Sequence, residues 1–298
     1  MTKRRKLLEF FIQGLIRLCG YSAIVFVALI FLFLLQEGLP ALSQVPLSSL
    51  LGARWYPIEP LNLFGLAPLL WGSLVITLGA AVIAIPFGVA TAVFIAEIAP
   101  RWMREILKPF VEILAGLPSV VLGFLGILVL VPMIRTGLNL PTGLTALTGS
   151  ILLAAMSLPT IVSVAEDALD AVPKSYRDGA LALGATKWQT IWRVTLPAAK
   201  SGVLTAIMLG LGRAIGETMA VMMVTGNAAQ MRWDALFYPI RTMTATIAAE
   251  MGEVARGTAY YHVLFLIGII LFLISFLVNI LASSMLFRAK KRAERMLS

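Results

Sequence analysis

Long stretches almost free of formal charge set the limits on what this chain can become. They fall at Leu18 to Gln36, Ala67 to Ala96 and Ile113 to Ile134, then within Thr136 to Ala165, from about Ser201 to Thr225, and within Tyr260 to Phe287. At ~1.5 Å of rise per residue, a run of ~20 apolar residues crosses the hydrocarbon of a bilayer as a helix. The pattern predicts six membrane-spanning helices in an all-α integral membrane protein. Composition agrees: 59% of residues are hydrophobic and 13% charged, against roughly a quarter charged in a soluble domain. Pro86 inside the second run predicts a kink, and Pro141 with Gly143 breaks the start of the fourth.

The chain begins MTKRRK, and its first apolar run is longer than the core of a signal peptide and lacks a small-residue cleavage site. It reads as a retained first helix ending at Glu37-Gly38-Leu39-Pro40. Residues Glu37 to Leu66 then carry Pro40, Pro46, Pro57 and Pro60 around Trp55 and Tyr56, which predicts an ordered extramembrane loop rather than a helix. The divisions expected are 1–66 for the first helix and its Pro-rich loop, 67–287 for a five-helix core, and 288–298 for a basic tail.

The net charge of +9 is read as topology rather than as affinity for nucleic acid, which is not expected as a partner. Arg54, Arg135, Arg232, Arg241 and Arg256 lie in the odd connections. The opposite side holds Lys3, Arg4, Arg5, Lys6 and Arg17 at the start, Arg101, Arg104 and Lys108, then Lys174, Arg177, Lys187, Arg193 and Lys200, with five more in the tail. Eighteen against five places both termini in the cytoplasm. One cysteine, Cys19, excludes a disulfide framework or a CxxC site, and one histidine, His262, cannot form a two-histidine zinc site. Both are read as structural.

On the cytoplasmic side lies the connection 166–200. Ser175 with Asp178 resembles a capping box, Thr186 with Gln189 is a second, and Gly184 stands where a helix stops at positive φ. The expected local structure is helix, glycine turn, helix, closed by Pro197, with Trp188, Ile191 and Trp192 on one side of the second helix. Two readings fit: an amphipathic helix resting on the bilayer, or a docking element for a soluble partner. Glu166, Asp167 and Asp170 are expected to be solvated or paired with that partner.

Asp178-Gly179-Ala180, then Gly184 after three residues, then Val194-Thr195-Leu196-Pro197 after nine more resembles the cytoplasmic signature of ABC importer permeases. Asp stands for Glu, Gly for Ala and Val for Ile in that pattern. The resemblance covers about Trp71 to Phe287. It implies a type I importer permease fold, with a coupling helix between the fourth and fifth spans that docks into a cleft of an ATPase. Asp178, Gly179, Ala180, Gly184, Ala185, Thr186, Trp188, Leu196 and Pro197 are the coupling residues so implied. GLGRAIGETMAVMMVTGN from Gly210 to Asn227, Leu114 to Ser119, and Ala96 to Pro100 are similar to the phosphate-specific transport permeases of the PstC type. Met219-Ala220-Val221 after Thr218 favours that type over its sister subunit. Phosphate is what the resemblance implies, as are a second permease subunit (PstA-like), an ATPase dimer (PstB-like) holding ATP and Mg, and a periplasmic phosphate-binding protein (PstS-like). Trp55 and Tyr56 are expected in the surface that receives the last of these. Other oxyanions such as molybdate or sulfate, or an ion-coupled secondary transporter, are the alternative readings.

Within the fifth run stand the two charges that the other runs lack, Arg213 and Glu217. Arg213 lies ~18 Å beyond Ser201 along a helix, near mid-bilayer, where an arginine costs ~2.5–3.5 kcal/mol on insertion scales. Four residues on, Glu217 is expected on the same face and able to neutralise it. The pair is either a packing device or a substrate path in which the guanidinium fork meets a tetrahedral oxyanion. Gly212 and Gly216, spaced small-xxx-small, are expected to admit a neighbouring helix. Enzymatic readings fare worse. Gly179 to Lys187 is not a P-loop, so ATP is expected to be hydrolysed on another chain and no cofactor on this one.

Overall fold

The computed structural model describes residues 3–58 and 60–297, with the backbone alone at 3–9, 282–283 and 285–297. Helix α1 (Lys3–Gly38) is the predicted first helix. The segment after it holds more regular structure than a loop. Single-turn helices α2 (Ala41–Gln44) and α3 (Leu47–Leu50) start directly after Pro40 and Pro46, whose rings preset φ at −56° and −57°. Strand β1 (Trp55–Tyr56) then pairs antiparallel with β2 (Leu63–Phe64), Trp55 opposite Phe64. Trp55 is 7% exposed and belongs to the core, so only Tyr56, 48% exposed, remains a surface aromatic.

Helix α4 (Ala67–Val93) forms the second span and runs unbroken through Pro86. An amphipathic helix, α5 (Arg101–Ala115), follows it. The third span begins at Ser119 rather than Ile113, because Gly116-Leu117-Pro118 takes the chain out of the helix. Its parts are α6 (Ser119–Leu125) and α7 (Val131–Gly137), joined by a wide turn at Gly126–Leu130. Helix α8 (Ala146–Asp170) is capped by Thr145, which accepts from the Thr148 amide. Next come α9 (Lys174–Ala182), α10 (Lys187–Thr190) and α11 (Leu196–Ala198). The fifth run is two helices rather than one, α12 (Lys200–Gly216) and α13 (Met219–Val224). Helices α14 (Met243–Glu250) and α15 (Ala259–Leu297) complete the chain. Five of these elements are long and apolar enough to cross a membrane. A sixth span arises if Lys187–Ala198 and Lys200–Gly216, bent 72° to one another, are taken together.

Prolines shape these helices in a consistent way. Three π turns occur among the described residues, at Phe94–Ile98, Gly126–Leu130 and Ile191–Thr195, and each ends two residues before a proline: Pro100, Pro132 and Pro197. A proline lacks its own N–H and crowds the carbonyl four residues back. The wider i→i+5 bonds, Ala99 to Phe94, Val131 to Gly126 and Leu196 to Ile191, relax the backbone just ahead of it. Pro100 directly precedes α5 and Pro132 lies in the first turn of α7, whereas Pro197, inside α11, leads into the 72° bend.

The core is stacked by depth. One cluster at the end bearing the hairpin joins Trp55, Phe64, Leu69, Met243, Leu264 and Ile267. A middle cluster joins Ile76, Ala80, Ala84, Leu153, Ile161, Ala214 and Val221. A third, at the opposite end, joins Ala92, Leu169, Val172, Ile191 and Val203. His262 sets its ring Nδ1 2.7 Å from the Glu37 carbonyl and so ties α15 to the end of α1. Helix α8 packs most extensively on α4 and α12. Ala80, Ala84, Gly88 and Ala92 recur every fourth residue on α4, the small-residue spacing that lets membrane helices approach closely. Ile161 of α8 fills the space left by Gly88 on one side and Gly210 on the other.

A side chain at Gly88 would start 2.7 Å from Ile161 Cγ2. Gly88→Leu is expected to destabilise the fold by about 1–3 kcal/mol, read as a lowered midpoint in thermal unfolding of the detergent-purified protein. Gly137→Ala, where the added methyl meets nothing within 4 Å, should leave the midpoint in place.

Candidate functional site

Arg213 sits one turn before the end of α12. Its Nη1 reaches Thr160 Oγ1 of α8 at 3.4 Å, and its Nη2 the Ala115 carbonyl at the end of α5 at 3.3 Å. Both bonds are long. A guanidinium has five N–H donors, and these are the only two acceptors it has among the described residues. The backbone is non-helical on both sides of it, at Gly116-Leu117-Pro118 and at Glu217-Thr218. Within a membrane, unwound backbone is tolerated where it is buried in protein or lines a cavity.

Glu217 does not neutralise Arg213. Six ion pairs are formed among the described residues, and this is not one of them. The i,i+4 adjacency assumed from the sequence needs an unbroken helix. The chain instead leaves helical geometry at Glu217, with φ −69° and ψ 130°. Its Oε1 turns forward to accept from the Ala220 amide at 3.2 Å, at the positive N-terminal end of α13, while its carbonyl accepts from Thr244 Oγ1 at 3.1 Å. The carboxylate therefore holds the start of α13, and the guanidinium has no acidic partner among the described residues. Gly212 and Gly216 meet nothing within 4 Å, so among the described residues no helix uses the close approach they permit.

The residues of the signature are gathered into one projecting tip. Gly184 has φ +83°, as expected, and the turn is closed by bonds from Gly184 to Leu181 and from Ala185 to Ala180. Thr186 and Gln189 form the full capping box of α10. The other expected box is absent, because α9 starts after Pro173 and Ser175 lies inside it. Asp178, Gly179, Gly184, Thr186, Trp188 and Pro197 are exposed, and Ala180, Ala185 and Leu196 half-buried. Trp188 and Trp192 are each more than half exposed, with ring centroids 5.6 Å apart, and Leu183 at the turn is 91% exposed. Ile191 does not join them. It is 4% exposed and packs into the core with Leu169 and Val172, since a residue three along from Trp188 and one before Trp192 in a widened turn faces inward.

The acidic cluster at the end of α8 is paired within the chain; Glu166 is buried, while Asp167 and Asp170 stay exposed to solvent. Lys108 of α5 donates to Glu166 at 2.7 Å and to Asp167 at 2.9 Å, and Arg104 reaches Asp170 at 3.2 Å. Asp167 and Glu166 together hold the Lys108 ammonium above the usual lysine range. Arg177 of α9 binds Glu97 at the foot of the α4 span at 2.6 Å. The four-residue spacing of Arg104 and Lys108 was a signal for the first set, since it places both on one helix face. No local pattern marked Arg177 and Glu97, which are 80 residues apart.

The family model described as "Binding-protein-dependent transport system inner membrane component" matches residues 84–291, and the chain belongs to that family. The Probable ABC transporter permease protein YqgH of Bacillus subtilis is 42% identical over 78% of this chain and 75% of its own length. The phosphate transport system permease protein PstC of Mesorhizobium japonicum is 38% identical over 85% and 82%. Among solved structures, a bacterial ABC transporter involved in the import of the acidic polysaccharide alginate superposes with a TM-score of 0.60 at 16% identity, over 94% of this chain and 99% of that one. The inward-facing MetNI methionine ABC transporter also reaches 0.60, at 19% identity, over 78% and 99%. These last two show the fold alone, an all-α arrangement of apolar helices.

Because the amide of Ala220 needs an acceptor rather than a charge, the two simplest substitutions of Glu217 should separate. Glu217→Gln keeps an oxygen for that amide and is expected to leave thermal stability close to wild type. Glu217→Ala removes it and should cost about 1 kcal/mol, the usual loss at a helix cap. Equal losses in both variants would show that the negative charge is what matters at this position.

Proposed function

We propose that this chain is the membrane-spanning permease subunit of an ATP-driven phosphate importer and forms half of the translocation path. The observation that carries the reading is Arg213: a guanidinium on a membrane helix, between two unwound segments, with two long bonds to neutral oxygens and no carboxylate. Such a group is costly unless it faces a cavity, a partner or an anion. Its planar fork suits a phosphate oxyanion, to which it can donate two parallel bonds. The names of the relatives in Mesorhizobium and other bacteria point to the same substrate.

In this reading both termini and the tip at Leu183–Trp192 are cytoplasmic, and the tip docks in a cleft of an ATPase dimer that binds ATP and Mg. This chain hydrolyses nothing itself and holds no cofactor. A second, similar permease subunit completes the path and faces the open small-residue stripe of Gly212 and Gly216. A periplasmic binding protein delivers phosphate to the far side, where Tyr56, Arg241, Glu250, Glu253 and Tyr260 line a cleft of about 1060 Å³. Closure of the ATPases moves the tip. The tip runs through a 72° bend directly into α12, so the movement reaches the helix that carries Arg213.

Uptake of radiolabelled phosphate by the reconstituted complex, with molybdate and sulfate as competitors, tests the substrate. Arg213→Gln is expected to abolish uptake while the complex still assembles. Arg213→Lys keeps the charge without the fork and should retain a small fraction of uptake. Wild-type uptake by an assembled Arg213→Gln complex would remove the residue from the path.

Docking is tested at two glycines. A side chain at Gly179 meets nothing of this chain within 4 Å and sits in an ordinary helix, so Gly179→Leu should fold and insert normally yet fail to co-purify with the ATPase. Gly184→Leu adds strain at positive φ of order 1 kcal/mol and should lower stimulated ATP hydrolysis with insertion unchanged. Normal ATPase co-purification with Gly179→Leu would place the docking face elsewhere.

A further inference from the structure

Helix α9, half of the projecting tip, buries none of its side chains. A helix so exposed has little to hold it against the membrane helices. Its partner along the tip is better anchored, because Thr190, Ile191 and Thr195 are all buried. Among the described residues, the side-chain hydrogen bonds of α9 all come from Arg177. Arg177 Nε donates to Glu97 Oε1 at 3.0 Å and Oε2 at 3.3 Å, and Nη2 donates to Oε1 at 2.6 Å. On the same guanidinium, Nη1 donates to the Val172 carbonyl at 2.7 Å and Nη2 to the Leu169 carbonyl at 2.8 Å. Glu97 lies in the π turn that ends the α4 span, and Leu169 and Val172 are at the end of α8. Both partners are shielded, with side chains 19% and 9% exposed.

We propose that Arg177 and Glu97 form the joint through which the docking tip moves the membrane helices, one guanidinium fastening α9 to the ends of α4 and α8 at once. The proposal rests on the reading of the tip as an ATPase docking element. The physical reason for an arginine is its rigid fork: three bonds face the carboxylate, and the remaining donors reach two carbonyls at the end of another helix. A lysine offers a single nitrogen on a flexible stem and cannot hold three elements in one geometry. Arg177 is a positioning residue and touches no substrate. Its loss should leave docking and hydrolysis in place while the push from the tip is no longer delivered to α4 and α8. The other cytoplasmic bonds do not replace it: Lys108 and Arg104 tie α5 to α8 and to the π turn, and neither touches α9.

The complete transporter, with its ATPases and binding protein, is reconstituted in liposomes for wild type, Arg177→Gln, Glu97→Gln and Arg177→Lys. Phosphate accumulated and ATP hydrolysed are measured in the same vesicles. Arg177→Gln and Glu97→Gln are expected to keep ATP hydrolysis within about twofold of wild type and to lower phosphate moved per ATP at least tenfold, with Arg177→Lys between. A merely structural role would lower both activities together through lost assembly, and an unchanged ratio overturns the proposal. Should the wild-type complex accumulate no phosphate, the proposed function fails, and a substrate-independent measurement decides the joint. Spin labels are placed by Ser175→Cys on α9 and Phe87→Cys on the exposed face of α4, in a Cys19→Ser background. A rigid joint keeps the label separation the same in nucleotide-free and ATP–vanadate-trapped complexes, whereas Arg177→Gln shifts or broadens it. Label separations that change equally in wild type and Arg177→Gln would show that no joint exists.

Discussion

The close approach of α4, α8 and α12 around Ile161 is the constraint on which the rest of the structure depends. Lipid offers no hydrophobic drive for helices to associate, so they hold together by packing that requires small residues. Here Gly88 and Gly210 leave the space that Ile161 fills, and Ala80, Ala84 and Ala214 line the same layer. Thr160, the neighbour of Ile161, is thereby set against Arg213, the neighbour of Ala214. The packing that makes the bundle compact is also what fixes the cation.

That cation sets the chemistry. Had α12 continued as a helix through Glu217, a neutral pair would have formed and the segment would carry no net charge. The break at Glu217 and Thr218 prevents it, and the carboxylate instead accepts from the Ala220 amide of α13. Its cost is confined to a place where two unwound segments face each other and other groups can supply partners. In the proposed importer, an anion in transit or residues of a second subunit would satisfy the remaining donors at one stage of a cycle and leave them at another. A permanent intrahelical pair could not be exchanged in this way.

The tip and the arginine belong to one continuous piece of chain. From Lys187 the polypeptide runs through α10, the π turn and α11, bends, and becomes α12. Under the proposed docking, movement at the tip has two routes inward: along the chain into α12, and across space through Arg177 into the ends of α4 and α8. The ion pairs of Arg104 and Lys108 brace the same level from α5.

By itself the sequence determined much of what local chemistry and contact with lipid govern, although the capping box expected at Ser175 does not form. Charge-free length decided how many spans there are, because the transfer cost of charge acts residue by residue. The positive φ of Gly184 and the box of Thr186 and Gln189 were legible because a turn and a cap need only neighbours in sequence. Only the tertiary structure decided which polar groups meet. It parted Arg213 from Glu217 through a helix break that no local residue pattern demanded. It turned Trp55 of the hairpin and Ile191 into the core while leaving Trp188 and Trp192 outside. It also brought Arg177 to Glu97 across 80 residues. Such pairings depend on how helices stack, and stacking follows from the shapes of surfaces distant in sequence, which spacing along one chain does not encode.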